Sequence, residues 1–186
     1  MVSVLALWLP ILVAAVFVFI VSSILHMVFS YHNSDFGGVP SEEEVRSALR
    51  KFNIPTGDYI IPYAADNKER NTDEFKARAD EGPVVFMHVL PNGMGNMTSS
   101  LIQWFVYSLI VGIFAAYIAG RAVPAGADYL EVFRFAGCTA FVGYSLALVQ
   151  NSIWYKKSWR ATLKSVFDGL VYALVTAGAF GWLWPA

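Results

Sequence analysis

The sequence predicts an all-α integral membrane protein, a four-transmembrane-helix bundle with a small cytoplasmic loop segment between helices 1 and 2. Three observations predict it. Hydrophobic residues make up 56% of the chain and charged residues 15%, a balance that suits a bilayer better than water. The apolar residues also fall in long blocks with the charges between them. Finally, Trp104, Trp154, Trp159, Trp182 and Trp184, with Tyr129 and Tyr155, stand near block ends, as in the aromatic belts at membrane interfaces.

The first block spans residues 1–29. At 1.5 Å per residue it is long enough to cross the hydrocarbon layer with some tilt. A cleaved signal peptide is the rival reading, disfavoured because no Lys or Arg precedes the block and the apolar run is too long. Pro10 lies in the first turns, where its missing donor is tolerated or causes a kink. The other blocks cover about residues 100–120, 129–151 and 163–184, within a C-terminal region 100–186.

Residues 30–99 form the one extramembrane piece. Ser41 followed by Glu42, Glu43 and Glu44 reads as a capping box after Pro40 that starts a helix running to Phe52. Pro55 to Asp58 reads as a turn. A second short helix is expected from Thr72 to Ala79, ended by Gly82-Pro83. The apolar run Val84 to Leu90 suits either a short strand or a segment on the membrane surface. So small a piece lacks a sizeable core.

Basic residues set the expected orientation. Lys156, Lys157 and Arg160 occupy the connection between the third and fourth blocks, with Lys164 just inside the last span. The opposite connection holds only Arg121, with Arg134 deeper. Cytoplasmic loops are the basic ones, so both termini are expected outside, in the periplasm of a bacterial inner membrane. On this topology the acceptor sequence Asn96-Met97-Thr98 faces the side where it escapes glycosylation. A net charge of −1 offers no case for a nucleic-acid partner. Cys138 has no second cysteine to pair with and reads as a small packing residue.

In lipid, helices associate through close backbone approach, which small residues permit. The second block carries Ser108, Gly112, Ala116 and Gly120 at four-residue spacing. The third carries Thr139, Gly143 and Ala147, and the fourth Gly169, Ala173, Ala177 and Gly181. These stripes predict a tightly packed bundle, with the unstriped first span at its periphery, and they equally suit a homo-oligomer.

Ionisable side chains at membrane depth are the functional candidates. Lys164 and Asp168 share a face of the fourth span and read either as a structural ion pair or as a site where Asp168 handles a proton or binds a metal. Arg134 reads as part of an outer-interface charge cluster with Glu131 and Asp128. Gln150 and Asn151 close the third span at the level of Asp168. His26, His32 and His88 all fall on the side of Asp168, and imidazole with carboxylate is a ligand set for zinc, iron or copper. Their spacing matches no compact metal or haem motif, and no phosphate loop or nucleophile elbow occurs.

The segments His26-Met27-Val28, Gln103 to Ser108, Ser152-Ile153-Trp154 and Phe167 to Leu170, with Gly181 to Pro185 and the Pro40 box, resemble those of a family of small bacterial four-helix inner-membrane proteins. The resemblance implies a bacterial source and the four-span layout, and carries over no activity, cofactor or catalytic residue. Three functions are therefore expected from different classes. One is a bundle that self-associates or serves as an accessory subunit of a membrane complex. Another is a metal or haem protein, or enzyme, built on His26, His32, His88 and Asp168. The third is a small channel or transporter with Asp168 and Gln150 along its path.

Overall fold

A computed structural model describes all 186 residues. In chain order the elements are α1 Trp8–Met27, α2 Glu42–Phe52, β1 Gly57–Ile61, α3 Asn67–Arg70, α4 Asp73–Glu81 and β2 Val85–Val89. They continue with α5 Met97–Ala122, α6 Tyr129–Tyr144, α7 Val149–Trp154 and α8 Trp159–Trp182. Four stretches are long and apolar enough to cross a membrane: Val4–Met27, Met97–Ala122, Tyr129–Trp154 and Trp159–Trp182. The chain divides into two compact units, one made of 1–36 with 96–186 and the other of 37–95.

The first unit is the bundle. A 3₁₀ turn over Val4–Leu7 leads into α1, and Pro10 sits buried in the first turn of α1. α1 packs on α5 and α8, and α6 packs on the same two helices. The first span thus has two helix neighbours, as each of the other three spans does. Leu7 of the 3₁₀ turn and Ile11, Ala14, Ala15 and Val18 of α1 recur at helical spacing and are all buried.

Small residues govern the remaining contacts. In α5, Ser108, Gly112, Ala116 and Gly120 are all buried, and Gly112 lies against Ile11 of α1. In α8, Gly169, Ala173 and Ala177 are buried, while the half-buried Gly181 admits the ring of Tyr129. The stripe expected in the third span is displaced. Gly143 does lie against Val111, but Thr139 is only half-buried and Ala147 is exposed. Val132, Ala136, Ala140 and Tyr144 form the buried row instead.

The third span is also broken. α6 ends at Tyr144, a 3₁₀ turn spans Leu146–Leu148, and α7 resumes at Val149. Ser145, fully buried at the break, donates from Oγ to the Val166 carbonyl of α8 at 3.3 Å. Only Ser145 is buried at the break, Leu146 and Ala147 being exposed. Beyond the break, Ser152 donates to Thr162 Oγ1 at 2.7 Å and ties α7 to α8.

Both chain ends meet the α5–α6 connection. The Val2 amide donates to the Gly120 carbonyl at 2.8 Å, the Gly126 amide to Pro185 at 2.9 Å, and the Trp184 indole to Pro124 at 2.8 Å. An even number of spans requires the termini at one end, and these bonds place them there. Trp104 does not serve as a belt residue alone. Its indole donates to Ser22 at 2.8 Å, and its ring packs with Tyr107, Tyr144 and Tyr172.

The second unit departs from the all-α expectation. β1 and β2 form an antiparallel pair in the register Gly57↔Val89 to Ile61↔Val85. The run Val84 to Leu90 is thus a strand, and the residues after the Pro55 turn provide its partner. No residue of this unit is buried, in keeping with its small size. Ser41 does not cap α2 with its side chain, because a left-handed backbone (φ 49°) turns its hydroxyl away from the amides, so the capping box is not formed. Asp66 and Thr72 do cap α3 and α4, and in the bundle Asn96, the residue of the acceptor sequence, caps α5 through its side chain.

Candidate metal centre

The site is assembled at the end of the bundle opposite the termini, where α1 runs out. His26 occupies the last turn of α1, and the backbone then turns through a 3₁₀ segment, Ser30–Ser34, which carries Tyr31 and His32 and ends at Asp35. This turn folds the short stretch back over α8. There it meets Lys164 and Asp168, which lie one helical turn apart on α8.

Asp168 is the centre of the arrangement, with its side chain only 4% exposed. The Tyr31 hydroxyl donates to its Oδ1. Its Oδ2 faces His32 Nε2 at 2.7 Å and His26 Nε2 at 4.0 Å. The two imidazole rings stack, with centroids 4.6 Å apart and planes tilted by 32°. Tyr172, one further turn along α8, places its hydroxyl 3.3 Å from His26 Nε2. One ligand atom from each of His26, His32 and Asp168 lies within 4.8 Å of the others.

A second carboxylate stands behind the first. His32 Nδ1 faces Asp35 Oδ2 at 2.6 Å, so the ring bridges Asp168 and Asp35. Lys164 donates to Asp35 Oδ1 at 2.6 Å, to Ser34 Oγ at 2.9 Å and to the Tyr31 carbonyl. The ion pair expected between Lys164 and Asp168 is therefore not the one formed. Lys164 reaches past its helix neighbour to Asp35, which only the fold brings near. The Lys164 ammonium, and after it the His32 ring, hold the Asp35 carboxyl below the usual carboxylate range. Burial, reinforced by Asp168, pushes the Tyr31 hydroxyl above the ordinary phenol range and keeps it a donor.

Of the residues singled out in the sequence, His26, His32 and Asp168 converge. His88 does not join them. It belongs to β2 in the second unit, where its Nδ1 pairs with Asp58, its partner across the strand pair. Gln150 is exposed on α7, and Asn151 is half-buried and accepts from the Tyr155 and Lys157 amides through its carbonyl. Arg134 is exposed on α6 and forms no ion pair with Glu131 or Asp128. Three contributors went unremarked in the sequence: Tyr31, Asp35 and Tyr172. The His32-x-x-Asp35 spacing was available as a signal, since a helical turn puts residues three apart on one side.

Compared with known proteins, the chain matches no family model, no curated protein and no solved structure.

Proposed function

We propose that this protein is a membrane metalloprotein that holds one divalent first-row transition ion between His26, His32 and Asp168. The observation that carries the reading is the double engagement of His32. A metal-bound imidazole ordinarily donates its other ring N–H to a carboxylate, which fixes the tautomer and orients the ligand. Asp35 occupies that position behind His32, and Lys164 holds Asp35 in turn.

Charge supports the same reading. Lys164 is engaged by Asp35, so the buried Asp168 has only a phenol and two imidazoles for company. A buried carboxylate calls for a nearby positive charge. A cation seated between Asp168 Oδ2 and the two Nε2 atoms meets that need. At bond lengths of about 2.1 Å the ligand atoms of a tetrahedral site lie roughly 3.4 Å apart. His26, with half its side chain exposed, has the freedom to close from 4.0 Å. Three protein ligands leave a fourth position open, and an ion so held acts as a Lewis acid on whatever occupies it. Stacked side by side, the two rings do not suit opposite faces of a porphyrin, which favours a bare ion over haem.

Localisation belongs to this proposal: a bacterial inner membrane, termini outside and the metal centre on the cytoplasmic side, supported by Lys156, Lys157 and Arg160 at the site's end of the bundle. Gly112, Gly143, Gly169 and Gly181, among the small residues that suggested self-association or attachment to a larger membrane complex, pack against residues of the same chain. A channel read from Asp168 and Gln150 lacks its pairing, one residue being buried and the other exposed.

Elemental analysis of the untagged, purified protein after equilibration with zinc or iron(II) tests the reading. One ion per chain is expected, lost in Asp168→Asn and His32→Ala and kept in His88→Ala. A wild-type protein that takes up no ion would reduce the cluster to a structural ion network.

A further inference from the structure

Beside the metal centre, but not part of it, α1 and α8 enclose a groove of about 560 Å³. Its walls are Leu25 from α1, Phe29 just beyond it, and Leu163 and Phe167 from α8, with Tyr31, Arg160 and Lys164 also lining it. On α8 the lining positions 160, 163, 164 and 167 follow the spacing of one helix face. From Arg160 to Phe167 the face descends about 10 Å, the rise of seven residues. Arg160 stands at one end and Phe167 at the other, with Leu163 and Lys164 between them.

We infer that this groove is a binding site for a bilayer phospholipid with an anionic headgroup, one acyl chain lying along Leu25, Phe29, Leu163 and Phe167 and the phosphate meeting Arg160. The two cations in the groove are not equivalent. Lys164 is taken up by Asp35, Ser34 and the Tyr31 carbonyl, whereas Arg160 is exposed and has no partner within the protein. Arg160 also lies at the second position of α8, a 24-residue helix, where the positive end of the helix dipole adds to its charge. Basic pockets between membrane helices on the basic-loop side recognise anionic headgroups in this manner. The aromatic and aliphatic walls are too exposed for water, with Phe29, Leu163 and Phe167 each more than half uncovered. A water-soluble anion would gain nothing from them, and a phospholipid satisfies both ends of the groove at once.

Neither Arg160 nor Leu163 is a ligand of the metal cluster, so this inference stands apart from the proposed metal. The full chain is reconstituted in phosphatidylcholine bilayers containing a minority of phosphatidylglycerol, and the lipid retained on gentle detergent extraction is identified by native mass spectrometry. Phosphatidylglycerol is expected to be enriched about fivefold over its share of the bilayer, the effect of one basic side chain at the surface. Arg160→Gln should bring retention to the bulk ratio. Leu163→Trp, which fills the groove and leaves Arg160 in place, should displace the lipid altogether. Equal retention by wild type and Arg160→Gln would overturn the assignment. So would displacement of the lipid by soluble glycerol phosphate at millimolar concentration, since that would mark an anion site with no need of the acyl chain. Should Arg160→Gln fail to fold, undiminished retention in Leu163→Trp overturns it equally.

Discussion

Lys164 donates to Asp35 at 2.6 Å, and not to Asp168, its neighbour one turn along the same helix. The choice follows from depth. Asp168 is buried against Tyr31 and the two imidazoles, with its side chain 4% exposed, while the Asp35 side chain, 11% exposed, is the less covered carboxylate. The bond fastens the turn after α1 onto α8. Lys164→Met leaves Asp35 charged and without its cation, and a loss of about 1–3 kcal/mol in bundle stability is expected. The double variant Lys164→Met with Asp35→Leu should recover most of that loss. Unfolding in mixed detergent micelles measures both, and additive losses would show that the two groups do not interact.

Metal affinity should depend on Asp35 although Asp35 touches no ion. Removing its charge with Asp35→Asn weakens the hold on His32 Nδ1, and a fall of about 10–100-fold in affinity is expected from the loss of such a supporting partner. Competition against a chelator of known affinity reads this directly. Lys164→Met serves as the comparison, because it alters Asp35 without touching the His32 contact. His88→Ala should leave affinity unchanged, its ring being occupied with Asp58 in the second unit.

Close approach of α6 and α8 should be lost on adding one methyl group. A Cβ at position 169 would overlap Ser145 Oγ and press on Tyr144 Cβ at 3.1 Å, both at the break in the third span. Gly169→Ala is expected to destabilise the bundle by about 1–3 kcal/mol, the usual range for overpacking. At Gly178 the same methyl would meet only the Tyr129 hydroxyl at 3.6 Å, an ordinary contact. Gly178→Ala should therefore be neutral or slightly stabilising, helix propensity favouring alanine. Thermal melts of the two variants side by side check the contrast.

The indole of Trp104 joins α5 to α1 through Ser22. Trp104→Phe keeps most of the ring packing with Tyr144 and Tyr172 but removes the donor. Ser22 still donates to the Phe19 carbonyl at 2.9 Å, so no polar group is stranded. A loss of about 1 kcal/mol or less is expected, typical of hydrogen bonds between membrane helices. Ser22→Ala should cost a similar amount, and combining the two changes should add little further.

Much of the fold is legible without coordinates because a bilayer allows few alternatives. A spanning segment must satisfy its own backbone, so four apolar blocks of sufficient length are read as four helices. Caps such as Thr72 and the stripes on α5 and α8 are local features, and they lie where their residue types place them. The misreadings share a cause. Ser41 has the composition of a cap but a backbone that refuses the role, and β1 has no signal apart from the strand that pairs with it. The break at Ser145 depends on a carbonyl of another helix.

By itself, then, the sequence determined that four helices are long and apolar enough to cross a membrane, and their approximate limits. It also marked His26, His32, His88 and Asp168 together as candidates for one site. The tertiary structure alone decided which of them meet. His32 and Asp168 are 136 residues apart in the chain and touch because a 3₁₀ turn folds the end of α1 over α8. His88 presents the same imidazole, yet its strand pairing commits it to Asp58. Residue type and hydropathy are local properties and can be read in order along the chain. A metal-ligand set is a property of distances between segments, and only packing fixes those.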